Sequence, residues 1–541
     1  MNKSGLNKYL FIYFLSTLVV GVILILFILR SYTLEKAKIK YLDYFSKAGR
    51  IEYLNLPEIG IKAFKSNFNR LEKIKLEIDL ENLLILENIR KKSIVRGSLP
   101  VDDDNIKVKF KLNHKNKSIK GKIRLKGDRP AHFRERDKSS YKIELTDNNY
   151  FLGLKKFSLQ KPRIRNYIHE WIFHQMAKDF GLIKIKYEFL KLNINGENKG
   201  LYVVEEGFGK ELIERNERRN GPIFGLNEFI SSSSRDPIFE IYNKKYWERS
   251  ENINLAQTAV QKLKDFYNDK IPLEDIFDLE KWASFLAITD MTSAYHGALL
   301  WNVKLYYNPI NELFEPIPYD GHRNKPNYHK YNINYDNRII FDLVDGPTNT
   351  FGDDNFYFFK KFFYTKNKNL NLLFYDLYIA KLNIVSSSKY LNKFIQKNLN
   401  QIEKINSKIY ADYFYYDNAL QYGPGLYYFS LSDFFQKAEN IKIKTKNKKK
   451  MQIIKKNKSE FLVKNYYKNY GALIIDEMIC SKGNQNITIK IEKKLNNFSN
   501  TSIKLSEEQL ENLKCTHVNF IDKFNKSSFS IKIDYISSQY N

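Results

Sequence analysis

The chain has 541 residues, too many for one ordinary domain and enough to bury a large core, and its 43% apolar and 15% aromatic content excludes a wholly disordered chain despite the 28% charged fraction. The formal net charge of +28 fits an anionic partner, but it fits equally a general lean toward Lys, because the positive charge is spread along the chain. The two cysteines, Cys480 and Cys515, match no zinc spacing and read either as one disulfide or as two buried thiols.

Residues 9–29, YLFIYFLSTLVVGVILILFIL, carry no charge, and as a helix they reach about 31 Å, enough for a bilayer core. No small-x-small cleavage site follows, so a retained anchor is expected rather than a removed signal. Basic residues flank both ends. The short N-terminal tail favours the orientation that puts the body outside the membrane. A charged juxtamembrane helix is expected over residues 33–50.

IKLEIDLENLLILENIRKKSIVRG predicts a strand and then a helix stopping at Gly97. NIKVKFKLNHKNKSIKGKIRLKGD alternates apolar and polar residues on both sides of a polar turn, the pattern of two antiparallel strands, and SYKIEL adds a third. RNYIHEWIFHQMAKDFGL has helical spacing, and EFLKLNINGENKGLYVVEE is a hairpin turning at Asn195-Gly196. Residues 253–297 read as mainly helical and feed a strand pair over 299–318. Residues 356–436 read as a packed helical region. The Lys-rich run over 442–458 carries no nucleic-acid motif, so nucleic acid is not an expected partner. ALIIDEMIC, ITIKIEKK and FSIKIDYI then predict a small β-rich domain.

The segment HEWIFH nearly imitates a zinc-protease helix, but His169 and His174 are five apart, about 140° around a helix, and cannot share one metal. This helix is assigned to packing. Walker A, complete G-x-G-x-x-G and G-x-S-x-G signatures are absent from the sequence. A distributed set remains: Arg124, Lys126 and Lys142 on basic strands, Glu205 and Glu206 ending GLYVVEE, then His296, Asn302 and Asp320. Cationic strands suit phosphate, an acid suits pairing with one of them, and Asn with Asp at strand ends suits Mg²⁺. Taken singly, each of these residues also has an ordinary structural reading.

IRLKGDRPAHF, KSSYKIEL, YFLGLKKFSLQKPRIRNYIHEWIFH, NINGENKGLYVVEE and LYYNPINELFEPIPYDG, in that order and spacing across 74–324, resemble the CotH-like family. The resemblance implies an α+β, atypical protein-kinase-like fold with a mixed or antiparallel sheet and a helical lobe, binding ATP and Mg²⁺ and phosphorylating hydroxyl groups. By position it implies that Arg124, Lys126, Lys142 and Glu205 face the nucleotide and that Asn302 and Asp320 hold metal. His296 stands where the family carries Asp, six before the Asn, and His322 where a second Asp is usual. An imidazole suits a general base at neutral pH but is a poor ligand for a hard ion. His296 and Asp320 are therefore the expected catalytic pair.

The expected partition is an anchor at 1–30, a juxtamembrane segment at 31–73, a CotH kinase-like domain at 74–345, a helical extension at 346–440, a Lys-rich linker at 441–458 and a β-rich accessory domain at 459–541. The function expected is a membrane-anchored phosphotransferase acting on an envelope or surface protein or polymer. A non-catalytic pseudokinase scaffold is the alternative. Acceptor and oligomeric state are not legible.

Overall fold

The computed structural model describes residues 13–22, 64–99, 106–127, 130–134, 138–226, 239–321, 339–344, 357–365, 371–413, 431–446, 451–455, 459–465, 473–483, 485–495, 500–506, 513–522 and 527–534. Residues 13–22 are helical. The rest of the expected 9–29 span, the 33–50 helix and His322 lie outside the described residues. Among those described, no helix is long and apolar enough to cross a membrane.

Seven strands close into a barrel: β1 (Lys73–Glu77), β2 (Val108–His114), β3 (Lys117–Leu125), β4 (Tyr141–Leu145), β5 (Lys156–Gln160), β6 (Tyr187–Ile194) and β7 (Glu197–Glu206). The order around it is β1-β2-β3-β4-β5-β7-β6; the closing pair β1–β6 is parallel and the others antiparallel. Alternation explains the two faces. Ile74, Leu112, Ile123, Ile143, Leu159, Leu192, Tyr202 and Val204 fill the interior, whereas Tyr187, Phe189, Leu201 and Val203 point outward into the main helical core. The helix α1 (Leu80–Arg96) follows β1 and ends as expected at Gly97, whose positive φ of 81° lets its amide reach the Ser93 carbonyl. Asn195 and Gly196, with φ of 50° and 87°, make the predicted hairpin turn between β6 and β7.

Beside the barrel lie α2 (His169–Asp179), α3 (Ile253–Tyr267), α4 (Leu279–Thr292), α5 (Leu372–Val385), α6 (Ser388–Tyr413) and α7 (Leu431–Lys446). A four-stranded sheet, β8 (Ile223–Leu226), β9 (Phe239–Ile241), β10 (Lys304–Asn308) and β11 (Leu313–Pro316), runs in the order β11-β10-β8-β9. Aromatic packing dominates this core: Trp282 of α4 lies against Phe277, Phe285, Phe358 and Phe362, and its indole donates to the Phe314 carbonyl at 2.9 Å. His174 is fully buried against Glu170, one turn away at 3.2 Å, and His169 is also buried, in line with a packing helix. At the far end of α6, Asp412 pairs with Lys138 and accepts from the Leu201 amide at 3.0 Å, fastening α6 to β7.

The C-terminal strands β12 (Met451–Lys455), β13 (Glu460–Asn465), β14 (Leu473–Lys482), β15 (Gln485–Leu495), β16 (Asn500–Lys504), β17 (Lys514–Asp522) and β18 (Ser527–Asp534) form one sheet, as the alternation there predicts. Cys480 and Cys515 face each other across β14 and β17, fully buried and joined by a disulfide. That bond resolves the two readings left open by the sequence. It closes a loop of 35 residues, and a loop of that size contributes about 3–4 kcal/mol through the unfolded chain. Denatured full-length protein should show no reactive thiol before reduction and two after it; two thiols titrating without reductant would contradict the pairing.

Candidate functional site

The outer face of the barrel carries a row of polar side chains at the boundary with the helical core. Register places Arg124 opposite Lys142, Lys142 opposite Ser158, and Ser158 opposite Glu205. Arg124 is half-buried and Lys142 exposed. One rung further, past the end of β3, Lys126 is 6% exposed and its Nζ donates to Glu205 and, at 3.0 Å, to Gln160. Glu206 points to the opposite face, where it pairs with Arg215 and accepts from the Lys186 amide at 2.8 Å. Of the two neighbouring acids, only Glu205 belongs to the row.

Arg165 connects this row to the other half of the set. It ends the short 3₁₀ turn Pro162–Arg165 between β5 and α2, and the next two residues, Asn166 and Tyr167, both adopt positive φ, 50° and 60°. Two successive left-handed residues other than glycine are costly, and surrounding packing must hold them; Tyr167 is 3% exposed within the core. The guanidinium donates through Nε to Glu205 at 3.4 Å, through Nη1 to Asp320, and through Nη2 to the Tyr319 hydroxyl at 2.9 Å. It also lies 5.0 Å from the Tyr319 ring centroid, and the Lys304 ammonium lies 5.7 Å from that same centroid.

Asp320 follows β11 and itself has a φ of 54°, a conformation Asp tolerates better than most residues. Gly321 must be glycine on steric grounds: a Cβ there would stand 2.2 Å from the Phe173 ring of α2. A Cβ on Gly297 would likewise lie 2.6 Å from the Tyr319 carbonyl. The loop carrying His296 is thereby pressed against the loop carrying Asp320. His296 Nδ1 is 3.2 Å from Asp320 Oδ2 and 3.0 Å from Asn302 Nδ2, and the Asn302 amide donates to the His296 carbonyl at 2.8 Å. Lys126, Glu205, His296, Asn302 and Asp320 therefore form one continuous chain of contacts through Arg165. Arg124 and Lys142 lie on the row beside it.

The charges in this chain are strongly coupled. Burial pushes the Glu205 carboxyl up, but the Lys126 and Arg165 charges outweigh it and hold it down to about 2. Burial lowers the Lys126 ammonium from its usual range, with Glu205 opposing. Burial also works against the Arg165 charge, yet Tyr319 and Glu205 leave the guanidinium holding its proton more firmly than usual. Nearby His132 is pushed well below its usual range by burial and then by Lys126, Arg165 and Lys161. It is neutral at ordinary pH.

Arg165, Gln160, Tyr319 and Lys304 were not picked out by sequence reasoning. The available signal was KPRIRNY, three basic residues around a proline immediately before a helix. A hard divalent ion does not suit the donors assembled here. Mg²⁺ selects oxygen ligands, but both Asp320 oxygens are engaged, by Arg165 and by His296, and the partner of Asn302 is an imidazole. Among the described residues, no group of three or more His, Cys, Asp or Glu is placed to hold a metal ion.

Residues 123–378 match the family model described as CotH kinase protein. Inner spore coat protein H of Bacillus subtilis (strain 168) is 26% identical over 231 residues, which cover 40% of this chain and 62% of that relative.

Support for the His296 loop extends beyond the matched segment. Asp290 of α4 is fully buried; it accepts from the Tyr378 hydroxyl at 2.5 Å and the Ile340 amide at 2.7 Å. Lys437 of α7 donates to the hydroxyl of Tyr295, the neighbour of His296, at 3.2 Å. Burial pushes Asp290 up to about 7, against the Tyr378 hydrogen bond and the Lys437 charge. A carboxyl raised by folding contributes stability that is complete below the ordinary aspartate range and lost as pH climbs through its folded value. The urea midpoint of the wild type, followed by tryptophan fluorescence, should therefore fall relative to Asp290→Asn between about pH 4 and about pH 7. A difference independent of pH would contradict this.

Proposed function

We propose that this chain, whose residues 123–378 match the CotH kinase protein family model, is a membrane-anchored atypical kinase that transfers the γ-phosphate of ATP to a hydroxyl of an envelope or surface protein or polymer. The observation that carries the reading is the pairing of His296 with Asp320 on one continuous network with Lys126, Glu205 and Arg165. A buried Lys–Glu pair beside an acid-bearing loop is the division of labour kinases use to hold phosphates and direct the acceptor.

His296 supplies the base in this reading. The Asp320 carboxylate 3.2 Å from Nδ1 favours the tautomer protonated there, whereas the Asn302 amide nitrogen 3.0 Å from the same atom favours the other; in this reading the carboxylate prevails, which leaves Nε2 to accept a proton. With 27% of its side chain exposed, the imidazole is within reach of an acceptor. The acceptor oxygen forms the new bond to the γ-phosphorus, the bond from that phosphorus to the bridging oxygen breaks, ADP leaves with the electron pair, and the hydroxyl proton passes to Nε2. Asp320 then steadies the imidazolium. Asn302 fixes the loop through the His296 carbonyl. Lys126 and Arg165, with Lys142 and Arg124 on the adjoining rungs, provide the positive surface that meets the phosphates.

The apolar, uncharged run over residues 9–29 supports the anchor. The Cys480–Cys515 disulfide supports a body on the oxidising, extracytoplasmic side. Incubating the full chain with γ-labelled ATP and envelope extract should give incorporation that His296→Ala lowers by about 10²–10⁴-fold. Absence of transfer, or equal transfer by the variant, would sink the catalytic reading. Nucleotide binding without transfer would identify the non-catalytic scaffold instead.

A further inference from the structure

We propose that this site binds the phosphate chain of its nucleotide directly, with Arg165, Lys126 and Lys304 as fixed cations and without a divalent ion. The inference rests on the nucleotide-site reading above and concerns how that site is charged. Where a kinase uses metal ions between a carboxylate and the phosphates, this chain places a guanidinium on the carboxylate: Arg165 Nη1 holds Asp320 while Nε holds Glu205. The remaining Asp320 oxygen is turned to His296.

The basic groups Lys126, Lys161, Arg165 and Lys304 and the carboxyls Glu170, Glu205 and Asp320 are all less than a tenth exposed, so the carboxyls of the site are already matched by organic cations. A divalent ion reaching Asp320 would have to displace the guanidinium, leaving a buried cation without that carboxylate. A phosphate needs no such displacement. A guanidinium presents five N–H donors in a planar fork, and the contacts to Glu205, Asp320 and Tyr319 use one on each nitrogen among the described residues. Lys304, 5% exposed, lies with Arg165 around the Tyr319 ring, so a second cation is held close to the first.

The test is a titration of full-length protein with a non-hydrolysable ATP analogue, read by thermal shift or calorimetry, in excess EDTA and again in excess Mg²⁺. The two affinities should agree within about threefold, and in EDTA Arg165→Gln should weaken binding by about tenfold or more. Binding in Mg²⁺ alone would overturn the inference while leaving the nucleotide site intact. Binding in neither condition would overturn the nucleotide-site reading itself. The comparison on wild-type protein stands even if the variant fails to fold.

Discussion

Among the described residues, the guanidinium of Arg165 is the group that joins the two halves of the site. Glu205 comes from the barrel, Asp320 from the end of the small sheet beside the helices, and Arg165 donates to each from the turn that joins the barrel to α2. Burial makes this junction consequential, since charges taken out of water are tolerated only while their partners remain. The left-handed backbone at Asn166 and Tyr167 aims the side chain, and the close fits at Gly297 and Gly321 bring its second carboxylate within reach.

That junction also bears on what replaces the acid expected six residues before Asn302. An imidazole with a carboxylate at its Nδ1 retains the capacity to take a proton, whereas it lacks the oxygen ligands a hard ion needs. The His296 substitution and the Arg165–Asp320 pair point the same way. In the reading proposed above, both shift the site away from metal chemistry and toward fixed organic charge. The contact of Lys437 with Tyr295 shows that α7, outside the segment matched to the family model, still packs behind the loop that carries His296.

Local patterns in the sequence identified much of the fold. The alternation of β2, β3 and β4, the Asn195-Gly196 turn and the Gly97 cap each express a short-range rule that tertiary contacts did not override. Closure of the barrel was not legible, because the parallel β1–β6 pairing joins segments more than a hundred residues apart and leaves no local mark. The same holds within the site. Lys126, Glu205, His296, Asn302 and Asp320 were recognisable by type and by family resemblance. Arg165 was not, since a guanidinium between a proline and a helix looks like a solvated charge until the carboxylates converge on it. The cysteine pairing was undecidable for a related reason: strand register, not spacing, brings Cys480 opposite Cys515.

If Arg165 couples the two carboxylates, neutralising them singly and together must not give additive effects. All four tryptophans, Trp171, Trp247, Trp282 and Trp301, precede the C-terminal sheet, so fluorescence-detected urea unfolding reports on the body that contains the site. A double-mutant cycle of Glu205→Gln and Asp320→Asn should show a coupling of about 1–3 kcal/mol, with the double variant losing more than the sum because Arg165 is then stranded. Losses that add to within about 0.5 kcal/mol would show that the two carboxylates act independently and would contradict the account.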